Sequence, residues 1–207
     1  GSANSTPDPD GLRKLARKAG CDVLIGIQGR RQVVVIGLLT RAAQPDQAIQ
    51  EVALKMESFY GPGPLILGLT VGSVSDAAKS AKSALAAHSV AKATTNQHRP
   101  MLANELLPER ALAGDSLARS TLLENYYHPL AQNSSELLQT LRTYLDCGRS
   151  LEQTAKVLFV HANTVRYRLK RIFDEISADA TDPRTAFVLQ VALLLGSRLS
   201  KSSSSQD

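Results

Sequence analysis

Between Cys147 and Phe173 six basic residues, Arg149, Lys156, Arg166, Arg168, Lys170 and Arg171, stand against one acid, Glu152. This short window has a net charge of +5, and so does the whole chain of 207 residues. Charge confined to one segment is the footprint a polyanionic partner needs; the blander reading is a solvated helix face. Amide and aromatic side chains decide between them. Asn163 offers the acceptor and donor pair that matches adenine, and Arg166 can reach guanine bidentately, so these two are the first candidates for base contact, with Tyr167 next. One turn on, Lys170 and Arg171 are placed to meet phosphates, while Arg168, Thr164 and His161 suit the sugar-phosphate backbone on either side of a groove. For Tyr167 partial packing weighs evenly against contact. For His161 a capping or turn role weighs more than base reading, and Arg149 and Lys156 are phosphate or solvent residues.

Other chemistry finds little footing. Cys21 and Cys147 are far apart with no CxxC spacing, which suggests neither a disulfide framework nor a zinc site and fits a reducing, cytoplasmic setting. His88, His98, His128 and His161 lack i, i+4 pairing or nearby cysteines. No GxxxxGK phosphate loop and no GxSxG elbow occurs, and Glu105 with Glu109 is interrupted by Pro108. No catalytic residue, cofactor or metal is expected. At 43% hydrophobic and 21% charged the composition is that of a globular chain, and the longest apolar stretch, Val33 to Leu39, is far short of the ~18 residues of a membrane span.

The elements that must hold the basic window can be read by period. Ser134 and Ser135 cap a helix with Leu137, Leu138, Leu141, Tyr144 and Leu145 on one face, ending at Gly148. Ser150 with Gln153 forms a capping box for a short second helix, with Leu151, Thr154, Ala155 and Leu158 inward. Phe159, Val160 and His161 break it. A third helix from about 162 to 176 puts Val165, Leu169, Ile172 and Ile176 on a buried stripe and turns the amide and basic residues outward. A short capped helix, a tight turn and a second helix with a basic outer face is helix-turn-helix geometry, in which the second helix enters the major groove of double-stranded DNA. The small Ala155 lets the helices cross closely above Val165. With no glycine in the turn, ordinary backbone angles and a buried Phe159 or Val160 side chain are expected there.

The stretch LLQTLRTYLDCGRSLEQTAKVLFVHANTVRYRLKRI resembles the C-terminal DNA-binding domain of PucR/CdaR-type bacterial transcription regulators, whose signature runs close to LFVHxNTVRYRLxRI. The resemblance extends to about Leu195 and includes DPRTAFVLQVALLLG, where Asp182 and Pro183 start a closing helix that is apolar on nearly every side. Some of its Phe187, Val191, Leu194 and Leu195 surface suits a subunit contact as well as a core. NELLPERALAGDSLAR is similar to actinobacterial members. The resemblance implies a transcription regulator of fatty-acid synthesis or catabolic genes answering to an unidentified small-molecule effector, and helix-turn-helix docking on paired half-sites leads us to expect a homodimer.

In the front half, CDVLIGIQ and QVVVIGLLT flank Gly29, Arg30 and Arg31 as a hairpin. A helix from Pro45 follows to the GPGP breaker at 61–64; LILGLTVG returns as a strand, Ser73 or Ser75 starts a helix to about Thr94, and HRPMLAN supplies a last strand. This resembles the degenerate GGDEF-like domain of many PucR/CdaR regulators, a small ferredoxin-like α/β sandwich. The cyclase signature is absent: the hairpin reads QGRRQVV and has no carboxylate to hold a metal, so cyclase activity is not expected. Arg30 and Arg31 offer an anion site or, more simply, a solvated tip. The rival readings are a nucleotide-binding or nucleotide-processing GGDEF relative, and a protein-interaction module whose basic helix meets an acidic partner. The expected fold class is α+β, divided as a leader at 1–10, an α/β domain at 11–100, linker helices at 101–133 in which Tyr126, Tyr127 and His128 pack, a helix-turn-helix domain at 134–200 and a disordered tail at 201–207.

Overall fold

A computed structural model describes residues 8–29, 31–40, 43–93 and 98–203. They form two compact units, 1–109 and 110–207. The α+β expectation holds: small sheets and helices make the first unit, helices alone the second.

Unit 1 opens with a helix that the expected 1–10 leader leaves out. Helix α1 (Pro9–Lys18) has proline in its first turn, and the Asp8 carboxylate accepts from the Asp10 N–H at 3.1 Å. Leu12 and Ala16, one turn apart, are fully buried. Strands β1 (Cys21–Gln28) and β2 (Arg31–Leu38) pair antiparallel with Cys21 opposite Leu38 and Gln28 opposite Arg31. Gly29 takes the left-handed φ of 59° that the two-residue connection requires; Arg30 lies outside the described residues. Helix α2 (Pro45–Met56) covers the hairpin, so that Leu12, Cys21, Val23, Val52 and Met56 share one core.

The expected strand in LILGLTVG shrinks to β3 (Ile66–Leu67), parallel to β4 (Met101–Leu102). The reason sits at Gly68: a Cβ there would overlap the carbonyl and hydroxyl of Ser80, and the next N–H, of Leu69, bonds Ser83 Oγ at 3.0 Å. The chain is pulled onto α3 (Ala77–Val90), and pairing stops. Short 3₁₀ turns flank α3 at Val74–Asp76 and Ala91–Ala93; Thr94 lies outside the described residues. Among the described residues the two strand pairs stay separate sheets, with a groove of about 1420 Å³ between β2 and the Leu65–Gly72 segment.

The boundary between units falls inside α4 (Leu107–Leu112), so the helices expected as linkers belong mostly to unit 2. Arg110, 1% exposed, donates from Nε to Asp115 Oδ2 at 2.9 Å and pairs ionically with the same oxygen through Nη2 at 2.8 Å, while Asp115 Oδ1 caps α5 (Ser116–Leu122). A π-helical turn, Leu123–Tyr127, links α5 to α6 (His128–Asn133). The widening precedes Pro129, which has no N–H to give and whose ring crowds the carbonyl four residues back. Tyr126 and Tyr127 pack on the unit's core, as expected. Helix α10 (Pro183–Ser203) carries Leu189 and Leu193 into that core and runs past the expected start of a disordered tail at 201; 204–207 lie outside the described residues. Its Leu194 is exposed.

Two outcomes follow. A Cβ at Gly196 would overlap the Tyr127 ring, so Gly196→Ala is expected to destabilise unit 2 by about 1–3 kcal/mol of overpacking. Urea unfolding would show it; an unchanged midpoint would mean the ring moves aside freely. At the start of α10, Asp179 and Asp182 are held below the ordinary carboxylate range, Asp179 first by the Thr181 hydroxyl and Asp182 first by the Thr185 N–H. Lowered folded values give stability that is complete above the unfolded pKa of about 3.9 and is lost as pH falls through the folded values. Amide shifts of Thr181 and Thr185 should titrate with midpoints below 3.9; midpoints at or above it would contradict the bonds.

Candidate nucleic-acid interface

Three helices build the basic surface, each started by a side-chain cap. Helix α7 (Ser135–Asp146) starts where Ser134 Oγ accepts from the Leu137 N–H at 3.3 Å. It stops where Gly148 and Arg149 both take left-handed angles and the Arg149 N–H returns to the Tyr144 carbonyl at 2.8 Å. Arg149 then donates from Nη1 to the Thr181 carbonyl at 2.9 Å, a structural tie. Helix α8 (Leu151–Leu158) starts at Ser150, whose Oγ accepts from the Gln153 N–H at 3.3 Å.

The turn after α8 departs from expectation. Phe159 is neither in ordinary backbone nor buried: φ is 55°, ψ is 43°, and the residue is 95% exposed. The left-handed residue lets the Val160 N–H reach the Ala155 carbonyl at 3.0 Å, closing the helix end as glycine usually does. Helix α9 (Ala162–Ile176) then begins at His161, whose Nδ1 accepts from the Asn163 N–H at 3.2 Å. This is the capping role weighed for His161.

Helix α9 buries Val165, Ile172 and Ile176, with Leu169 half-buried beside them. Val165 is buried, as are Ala155 and Thr154 of α8; Ile172 and Ile176 meet Leu141 and Leu145 of α7 in one core. Each fully buried Leu, Ile or Val here contributes about 1.5–3 kcal/mol relative to exposure. On the opposite face Asn163, Arg166, Tyr167 and Lys170 recur at i, i+3, i+4, i+7 and all are exposed, Tyr167 by 62%. Arg166 Nη1 donates to Asn163 Oδ1 at 2.6 Å, so the guanidinium and the amide stand side by side. Arg171 is exposed and Thr164 half-exposed on the flank.

Arg168 does not belong to this surface. Its side chain is only 16% exposed, pairs with Glu136 and donates from Nη1 to Thr140 Oγ1 at 3.3 Å, both on α7. At ~100° per residue, position 168 falls nearer the buried stripe than the outward one. Its side chain therefore bridges α9 and α7. Two features escaped the sequence reading: this clamp, and the exposed aromatic ring at the turn.

A short helix, a three-residue turn and a longer helix showing a basic, amide-bearing face make up a helix-turn-helix domain. A family model described as the PucR C-terminal helix-turn-helix domain matches residues 137–195. A Mycobacterium tuberculosis protein is 44% identical over 137 residues, 66% of this chain and 33% of its own. The purine catabolism regulatory protein of Bacillus subtilis is 36% identical over 78 residues, 34% of this chain and 15% of its own. The crystal structure of a regulator of polyketide synthase expression from Bifidobacterium adolescentis matches with a TM-score of 0.79 at 38% identity, covering 95% of this chain and 77% of that one. The chain belongs to the PucR-type family of transcription regulators. It spans about a third of the length of the mycobacterial relative. No helix among the described residues is long and apolar enough to cross a membrane.

The clamp makes a test. Arg168→Ala leaves Glu136 and Thr140 without their shared donor and is expected to lower stability by about 1–3 kcal/mol, the worth of hydrogen bonds to a charged group. Denaturant titration would read the loss. A variant as stable as the parent would show that the clamp holds nothing.

Proposed function

We propose that this chain is the DNA-reading part of a sequence-specific, cytoplasmic transcription regulator in which α9 lies in the major groove of double-stranded DNA. The observation that carries the reading is the exposed stripe of Asn163, Arg166, Tyr167 and Lys170 on the second helix of a PucR-type helix-turn-helix domain. Asn163 and Arg166 read base edges, each by two hydrogen bonds, and Tyr167 supports them. Lys170 and Arg171 meet phosphates, and Thr164 and the outer side of the His161 ring fix the register. Arg168 acts on the DNA only by holding α9 at its angle.

The regulator works as a homodimer on paired half-sites about one helical turn apart, ~34 Å, because a single motif of this size buries little surface. Unit 1 is a degenerate GGDEF-like module without catalysis, since the hairpin tip has no carboxylate to hold a metal. Its genes are metabolic, a reading supported by relatives named for purine catabolism and for polyketide synthase expression. A small-molecule effector belongs to the same reading, with no residue assigned to it.

The test uses a duplex selected from a random pool by the chain itself. Asn163→Ala and Arg166→Ala should each lose discrimination between that duplex and a scrambled one, by roughly 1–3 kcal/mol, while Lys170→Ala should weaken both alike. Fluorescence anisotropy separates the outcomes. Equal losses on both duplexes from all three variants would overturn the assignment of roles. Light scattering of the bound complex should give two chains per duplex, and one chain would overturn the dimer.

A further inference from the structure

Phe159 is the most exposed large hydrophobic residue among those described, at 95%. It also holds a backbone conformation that bulky side chains avoid and glycine takes freely, with φ 55°. Turn closure requires the left-handed angle but no side chain, since the bonds it makes are from backbone N–H groups. A ring kept in water at a strained position contributes nothing to the fold. Its place is the entrance to the interface: two residues ahead of His161, which caps α9, and four ahead of Asn163.

Resting on the assignment of α9 to the major groove, we infer that Phe159 is a further specificity-determining residue, whose ring meets the 5-methyl group of a thymine at the edge of the bases read by Asn163 and Arg166. In helix-turn-helix docking the N-terminal end of the second helix meets the base edges, so a side chain projecting just before that end enters the same groove. The thymine methyl is the apolar feature of that groove, and phenylalanine is among the side chains that contact it. The surroundings favour DNA over a protein partner. Lys156 and His161 stand three residues before and two after Phe159 in the chain, and the segment from Cys147 to Phe173 has Glu152 as its one acid.

The test pairs two variants with one base modification, using the full chain and the selected duplex. Phe159→Gly relieves the strained backbone and should melt no lower than the parent; Phe159→Ala keeps the strain and also removes the ring. Both should bind the selected duplex about fourfold more weakly, the worth of one buried methyl group. Replacing thymines by deoxyuridine one at a time should reveal a position where losing the methyl weakens the parent about fourfold and leaves both variants unaffected. Asn163→Ala should retain that methyl penalty. If both Phe159 variants bind like the parent while Asn163→Ala loses discrimination, the ring serves another partner: the inference falls and the reading of α9 stands. A loss of binding with no sensitive thymine would equally overturn the methyl contact. If Asn163→Ala and Arg166→Ala also keep full discrimination, the reading of α9 falls with it.

Discussion

One helix must bury half its circumference and leave the other half free for a partner, and the 3.6-residue period of α9 divides the two jobs. Ile172 and Ile176 sit in the core formed with α7 and α10 and Val165 is fully buried, while Asn163, Arg166, Tyr167 and Lys170 stand in solvent. Nothing about the outer stripe would be useful if the inner one slipped. The burial of aliphatic side chains sets the depth of α9, and the Arg168 pair with Glu136 and Thr140 fixes its rotation about its own axis. A cation in a basic window thus serves the fold, while its neighbours Arg166 and Lys170 stay exposed.

The supports under α9 follow the same economy of atoms. Asp115 pairs with the buried Arg110 through one oxygen and caps α5 through the other. His161 starts α9 through one ring nitrogen and keeps its other edge toward solvent. The π-helical turn ahead of Pro129 sets Tyr127 against Gly196, so the closing helix meets an aromatic ring where it has no side chain of its own. These contacts make a rigid base, which a reading head needs, since hydrogen bonds to base edges tolerate little displacement.

The sequence was most legible where side chains write the ends of elements. Ser134 and Ser150 cap α7 and α8 as their positions predict, and α9 runs from Ala162 to Ile176, the expected limits. Legibility failed where backbone or distant partners decide. No pattern announces that Phe159 takes a left-handed angle, because glycine is the usual sign of one. Arg168 reads as one more cation until α7 is placed beside it, 28 to 32 residues earlier in the chain. LILGLTVG has the composition of a full strand, yet the close approach of Gly68 to Ser80 ends the pairing at Leu67. Helix α1 was hidden by the polar residues before it, which read as leader although Asp8 is its cap.

The central claim is that α9 lies in the major groove, and methylation interference with the selected duplex tests it directly. Methylation of guanine N7 lies in the major groove, and that of adenine N3 in the minor groove. The account predicts that binding is blocked by methyl groups at guanine N7 in the positions read by Arg166, and that adenine N3 methylation within the same positions has no effect. Interference confined to adenine N3, or absent from guanine N7, would contradict it.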